Sequence, residues 1–204
     1  MTFIFRSTNE SLDAIVQSMQ LTRKHNVLAV LGSGDQAFAM LEYAKLVVAI
    51  DNHHEQVKYA QKHKELISQG LFSRFLNRAE PIARKPFFRM QEYFKAPGRL
   101  EAIKKRINRL KILEGDIFRD SPGNQFSRIY LSNAISYLPL DESPEQNLML
   151  IIDRLKPNGL LYVTDEKDMP SDPYSGIEED IELTEIARDY QPNHWMPAVY
   201  RRIA

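Results

Sequence analysis

Val27-Leu28-Ala29-Val30-Leu31-Gly32-Ser33-Gly34-Asp35 is the stretch that decides how this chain folds. Five consecutive apolar residues, stopped by a glycine, suit a strand buried on both faces. Gly32-Ser33-Gly34-Asp35 reads as a tight turn of small residues, and Gln36–Ala44 as the helix that it opens. A second buried run, Leu46–Ile50, follows and ends at Asp51. Two such strands joined through a helix belong to a parallel sheet with both faces covered.

The same alternation continues to the end of the chain. Ser7 and Glu10 have capping-box spacing ahead of Leu12, Ile15, Val16 and Met19, which predicts an N-terminal amphipathic helix. Lys111–Glu114 runs as a strand into Gly115-Asp116-Ile117-Phe118, and Ser127–Leu131 runs into Ser132-Asn133. Ser143 as N-cap, Pro144 at the first helical position and Gln146 start a helix through Leu155. Leu160–Thr164 is the next strand, Glu178–Tyr190 a late helix, and Trp195–Ile203 a closing strand. The expected fold is α/β, a doubly wound and mostly parallel sheet in one domain spanning residues 1–204.

One crossover is too long. Between the second and third strands lies a helical insertion of about residues 53–110, with helices expected at His53–Gln69 and Leu100–Leu110. Between these, Pro81, Pro86 and Pro97-Gly98 punctuate a stretch holding Phe87, Phe88, Tyr93 and Phe94. From Lys58 to Lys111 the chain carries fifteen Lys/Arg against four acids, although its formal net charge is zero. That segregation suits a basic surface for an anionic partner, or equally a solvated helical face balanced by an acidic remainder.

Composition removes several chemistries. The chain has 204 residues, of which 43% are hydrophobic and 26% charged, as in an ordinary globular domain. It has no cysteine, so disulfides, thiolate metal sites and cysteine nucleophiles are excluded. His53 and His54 are adjacent and so face different ways, and no metal site is expected from them. No apolar run approaches the length of a membrane span, and Met1–Ser11 lacks a signal-peptide pattern. A cytoplasmic protein, at most peripheral to a membrane, is the expectation.

Four short elements fall at the carboxyl ends of successive strands, where open α/β sheets bind ligands. The first is Gly32-Ser33-Gly34-Asp35, whose small residues admit a ligand to the backbone at a helix N-terminus. The second is Asp51, with Asn52 beside it, placed to accept from both hydroxyls of an adenosine ribose. The third is Asp116-Ile117, a carboxylate for an adenine amino group and an apolar side chain for its ring. The fourth is Ser132-Asn133. Each alone is an ordinary turn or cap; together, in this order, they describe a nucleoside pocket.

These residues resemble the class I S-adenosylmethionine-dependent transferases. The likeness lies in Val27–Phe38 as the glycine-rich motif, Val47–Asp51 as the acidic ribose motif, Gly115-Asp116-Ile117 as the adenine motif, and Leu155–Thr164. A dinucleotide dehydrogenase fits less well, because Ala37 stands where a third glycine is needed. The resemblance implies a Rossmann-like class I methyltransferase fold and S-adenosyl-L-methionine as cofactor. More narrowly, Gly32–Ala37, Val48–Asn52, the long insertion and Ile129–Leu138 resemble the S-adenosylmethionine:diacylglycerol 3-amino-3-carboxypropyltransferases of betaine-lipid synthesis. That likeness implies aminocarboxypropyl transfer to a small or lipid acceptor, with possible peripheral contact with an anionic membrane. Methyl transfer to a small molecule or RNA, or cofactor binding without catalysis, are the alternatives; no recognised RNA-binding module accompanies the chain. Tyr137, just past Asn133, is the first candidate for a catalytic proton acceptor and His53 the second, each with a packing role as its alternative. The basic, aromatic insertion is expected to recognise the acceptor.

Overall fold

The computed structural model describes residues 5–77, 88–123, 125–169, 176–190 and 195–203. Its strands are β1 (Asn26–Val30), β2 (Leu46–Asp51), β3 (Leu110–Glu114), β4 (Phe126–Ser132), β5 (Leu155–Val163), β6 (Ile177–Glu179) and β7 (Ala198–Arg202). They form one sheet in the order β3-β2-β1-β4-β5-β7-β6. The pairings from β3 through β5 are parallel, whereas β7 lies antiparallel to both β5 and β6. The helices are α1 (Leu12–Ser18), α2 (Asp35–Tyr43), α3 (His54–Gln69), α4 (Phe72–Leu76), α5 (Phe88–Lys95), α6 (Arg99–Lys104), α7 (Pro144–Arg154) and α8 (Ile181–Tyr190).

The expected α/β class is therefore observed, and the side-chain alternation shows why both faces are covered. In β1, Val27 and Ala29 join one core cluster while Leu28 joins the other. In β2, Val47 and Ala49 divide in the same way from Val48 and Ile50, and in β5, Leu160 and Tyr162 from Leu161 and Val163. Successive side chains point to opposite faces, so a continuous apolar run feeds two cores. One core takes α1, α2, α3 and α8; the other takes α7.

Several boundaries differ from the sequence-based expectation. Ser7 and Glu10 form no capping box: Ser11 is the N-cap of α1, its hydroxyl accepting from the Ala14 amide at 3.2 Å. Glu10 instead turns inward and is buried. The predicted helix at Glu178–Tyr190 begins only at Ile181, because Ile177–Glu179 pairs with β7 as an edge strand. Leu100–Leu110 divides into α6 and a single 3-10 turn, Ile107–Arg109, with Leu110 already in β3. The closing strand is shorter than Trp195–Ile203, running from Ala198 to Arg202. Ser143 caps α7 as expected, accepting from the Gln146 amide at 3.2 Å.

The insertion packs on α2 and α3 and shares their core. Phe75, Tyr93, Phe94, Leu100 and Ile103 are buried in the cluster that holds Phe38 and Val47. Phe75 meets Phe38 edge-on at 5.6 Å and Phe94 at 5.2 Å between ring centroids. His63 of α3 lies in the same aromatic cluster, 4.1 Å from the Tyr59 ring and 6.1 Å from that of Phe75. Burial pulls its pKa down from 6.5 to about 4.

This buried imidazole makes stability fall in acid, as does His25, whose pKa burial also lowers to about 4. The unfolded chain takes up a proton near pH 6.5, the folded one only near pH 4, so stability is full above the first value and lost on the way to the second. The full shift corresponds to about 3 kcal/mol. Thermal unfolding followed from about pH 7 down to about pH 4.5 is expected to show this loss, and His63→Phe is expected to reduce it, leaving the share of His25. An unchanged slope in the variant would place the acid sensitivity elsewhere.

Candidate functional site

Chain reversal after β1 builds the first wall of the site. Gly32 and Gly34 both adopt left-handed backbone, with φ of 48° and 86°. The Gly34 amide closes the turn on the Leu31 carbonyl at 2.8 Å, and α2 starts immediately after. The two glycines have different surroundings. A Cβ on Gly32 would meet nothing within 4 Å, so its backbone borders open space. A Cβ on Gly34 would lie 3.1 Å from the Phe38 ring and 3.2 Å from the Ala60 methyl, so there the missing side chain lets α2 and α3 pack.

Asp51, at the end of β2, faces this turn. One carboxylate oxygen accepts from the Gly32 amide at 3.1 Å and the other from the His53 amide at 2.9 Å. Half-burial pushes its pKa upward, and these two amides oppose the shift. Each oxygen keeps a lone pair for a further donor. The structure thus brings Gly32, Asp51 and His53 together, as the sequence led one to expect. His53 is the N-cap residue of α3, and Asn52 is exposed between them.

The other candidates divide. Ser33 and Asp35 are buried and brace the turn from within: the Ser33 hydroxyl donates to an Asp35 carboxylate oxygen at 3.1 Å, which also accepts from the Thr8 amide at 3.1 Å. Asp116 lies past β3, tied to β2 through the Gly115 amide and the Asp51 carbonyl at 3.0 Å. Its carboxylate is engaged by the Phe118 amide at 2.7 Å and Arg119 at 2.5 Å, and Arg119 reaches on to Glu142 at 2.8 Å. Asp116 thus has one donor on each oxygen, as Asp51 does, and Ile117 is buried in the core on the α7 side. Ser132 sits in left-handed backbone, with φ of 54°, at the tip of β4, and Asn133 caps the 3-10 turn Ala134–Tyr137. Tyr137 closes that turn 69% exposed, its hydroxyl without a partner among the described residues. Among the described residues no hydrogen bond orients it.

The residue overlooked in the sequence is Glu10. It is 4% exposed, yet it accepts from three hydroxyls: Tyr130, Ser132 at 2.9 Å and Thr164 at 2.6 Å. Gln36 of α2 joins the group, donating to the Tyr130 hydroxyl at 3.1 Å and the Thr8 hydroxyl at 2.6 Å. Farther back, Gln56 pairs with both backbone groups of Phe5 at 2.8 Å, and the Tyr59 hydroxyl donates to the Arg6 carbonyl at 2.7 Å. Residues 5–10 therefore run as a strap from α3, past the head of α2, to the tips of β4 and β5. Tyr130 and Ser132 are two apart on a strand and share a face, which was the available sequence signal.

The basic insertion is partly consumed by structure. Lys64 donates to the Leu110 carbonyl at 2.8 Å, Arg106 to the carbonyls of Leu41 and Ala44, and Arg99 pairs with Glu42 at 3.2 Å. Arg99 also lies 3.7 Å over the Tyr93 ring. These contacts fasten α6 and the loop after it to α2, and α3 to β3, and the described buried aromatics belong to the core. Arg84, Lys85 and Phe87 lie outside the described residues, as do the side chains of Phe88 and Arg89.

No protein-family model matches the sequence, and no curated protein matches it. Solved structures match by fold. The N-methyltransferase NodS of Bradyrhizobium japonicum WM9, solved with S-adenosyl-L-homocysteine, is 11% identical at a TM-score of 0.54, over 94% of this chain and 85% of that one. A conserved hypothetical protein of Streptococcus pyogenes is 12% identical at 0.55, over 93% of each chain. YcgJ of Bacillus subtilis is 14% identical at 0.50, over 86% of this chain and 54% of its own, so this chain spans about half the length of that relative. The architecture is the Rossmann-like fold of the class I methyltransferases.

The two glycines give a test of the turn. A residue other than glycine in left-handed backbone costs about 1–2 kcal/mol. At Gly34 an added methyl must also displace Phe38 or Ala60, an overpacking cost of about 1–3 kcal/mol. Denaturant unfolding of Gly32→Ala and Gly34→Ala is expected to show the second clearly less stable. Equal losses would mean that the turn is packed alike on both sides.

Proposed function

We propose that this chain binds S-adenosyl-L-methionine at the carboxyl edge of β1, β2 and β4 and transfers a carbon group from it to an acceptor. The observation that carries this reading is the Gly32–Asp51 pair: an open backbone turn hydrogen-bonded to a half-buried carboxylate at the end of the next strand. The residues fit such a ligand. Asp51 has lone pairs to take the two ribose hydroxyls, and Gly32 has no side chain where the nucleoside must pass. His53 borders the same end.

The cofactor's sulfonium supplies an activated carbon and a good leaving group when bound. What the chain contributes is position and field. On this reading Asp51 and the glycine turn hold the nucleoside and the remaining arm lies across β1, the neighbour of β4, toward Ser132. The acceptor then approaches from the Ser132–Asn133 side.

Methyl transfer is the reading that the fold favours, since the matched structures of named activity include an N-methyltransferase. A second reading, 3-amino-3-carboxypropyl transfer to a small or lipid acceptor, rests on the sequence likeness of Ile129–Leu138, whose residues form the end of β4 and the 3-10 turn after it. Among the described residues no helix is long and apolar enough to cross a membrane, so a lipid acceptor would be met at a surface.

Incubation with S-adenosylmethionine and candidate amine, hydroxyl and lipid acceptors separates the readings by product. S-adenosylhomocysteine above the enzyme-free background means methyl transfer; methylthioadenosine means aminocarboxypropyl transfer. Neither product, with binding intact, would favour a binding protein. Asp51→Ala is expected to weaken S-adenosylmethionine binding by about 1.5–3 kcal/mol, the range for hydrogen bonds to a charged group. Calorimetry showing unchanged affinity in the folded variant would remove Asp51 from the site.

A further inference from the structure

The amino edge of the sheet, opposite the Gly32–Asp51 turn, carries charge that the fold does not use. β1, β2 and β3 start almost abreast: Asn26 registers with Leu46, and Val47 with Leu110. The loops that lead into them are fastened together. The Lys45 amide donates to the His25 carbonyl at 2.8 Å, and the Arg106 guanidinium donates to the carbonyls of Leu41 and Ala44. Three stretches distant in sequence, 22–26, 44–46 and 104–111, therefore meet at one place. They bring Arg23 and Lys24 ahead of β1, Lys45 ahead of β2, and Lys105, Arg106 and Arg109 ahead of β3, and none of the three contains Asp or Glu.

These cations stay uncompensated. Arg23, Lys24, Lys45, Lys105 and Arg109 are exposed, and none has an ion pair among the described residues. Burial, followed by the charges of Arg23 and Arg109, pushes the Arg106 pKa down. The β4 to β7 half of the same edge is built differently. There Arg201 pairs with Asp180, Arg128 donates to the Met19 carbonyl at 2.6 Å, and Arg202 donates to that of Ile152 at 2.9 Å. Like charges gathered without counter-charges repel one another, and a bound anion relieves that repulsion.

We propose that the amino edge of β1, β2 and β3 binds the phosphate backbone of a nucleic-acid duplex. Neighbouring strands lie about 4.8 Å apart, so the loops ahead of three of them set their cations along a line of about 10 Å. A duplex carries one negative charge per about 1.7 Å of its axis, a density that meets such a line with several phosphates. Other anionic partners ask for features that these loops lack. An anionic membrane is held by cations together with apolar side chains that enter it, and the exposed large apolar residues, Leu140 and Ile181 among them, lie outside the three stretches. A single strand is held by rings on which its bases stack, and the three stretches contain no Phe, Tyr or Trp. Phosphate contacts carry no sequence information, so the duplex is bound without regard to its base sequence.

This surface is separate from the cofactor site proposed above. β2 rises by about 3.3 Å per residue, which sets Lys45 about 20 Å from Asp51. The edge docks the chain on the duplex, and binding is expected to be the same with and without S-adenosylmethionine.

Fluorescence anisotropy with short labelled RNA and DNA duplexes, each in two unrelated sequences, tests the proposal. The wild type is expected to bind both sequences of a duplex alike, and log affinity is expected to fall linearly with log salt concentration with a slope of about −3 or steeper. Combined Arg23→Gln, Lys45→Gln and Arg109→Gln is expected to lower affinity at least about tenfold and to flatten the slope by roughly one for each charge removed. Thermal unfolding checks that this variant folds; if it does not, Lys24→Gln with Lys105→Gln is expected to act in the same direction. The charge-matched control is Lys58→Gln, Lys95→Gln and Lys167→Gln, whose side chains pair with carboxylates elsewhere, and it is expected to bind as the wild type does. Binding to either duplex supports the proposal, and the two arms tell RNA from DNA. An equal loss in the control means that net charge alone is at work and overturns it. So does a wild type that binds neither duplex, or one that binds only mixed phosphatidylcholine and phosphatidylglycerol vesicles.

Discussion

The Gly32 amide donates to the Asp51 carboxylate at 3.1 Å, and that contact requires two parallel strands to end level, one in a left-handed turn and the other in an acid. Strands that run parallel present their last carbonyls and the amides of the following loops along one edge, where nothing within the sheet can pair them. Here the loops pair with one another. Leu31 donates to Ile50, Gly115 to Asp51 and Thr164 to Ser132, all through backbone groups at 2.9–3.0 Å. The edge is thereby rigid without being filled, and over Gly32 it stays open.

The strap formed by residues 5–10 completes this edge from outside the alternating β and α units. It touches α3 through Gln56 and Tyr59, α2 through Asp35 and Gln36, and the tips of β4 and β5 through Glu10. Elements distant in sequence are thus fastened at one place, and the glycine turn is braced through Ser33 and Asp35. Within the insertion, α3 meets the strap through Gln56 and Tyr59. The insertion's described aromatics enlarge the core beside α2 and α3, and several of its cations hold backbone carbonyls there.

What the sequence disclosed follows from which forces are local. β1, β2 and the turn between β1 and α2 were legible because continuous apolar runs and closely spaced glycines carry their own meaning. Asp51 was legible for its place at a strand end. Glu10 was misread, because its spacing from Ser7 imitates a capping box while its true partners lie more than a hundred residues away. β6 was hidden for a related reason: a three-residue edge strand is defined by pairing with β7, not by any pattern of its own. Asp116 was correctly placed past β3, but its engagement by Arg119 and, through it, Glu142 depends on a loop and a helix that only the fold brings near. Tyr137 followed Asn133 in sequence, and the 3-10 turn carries it outward to solvent.

Under the proposed function one ligand spans the carboxyl edge from Asp51, across Gly32, to the Ser132 side. A crystal structure of the protein soaked with S-adenosylhomocysteine tests it most directly. The expected result is a ribose with both hydroxyls on the Asp51 carboxylate, its 5′ substituent passing over the Gly32 backbone, and the homocysteine arm ending toward Ser132. A ligand bound elsewhere, or an arm running away from β4 toward β3, would contradict it.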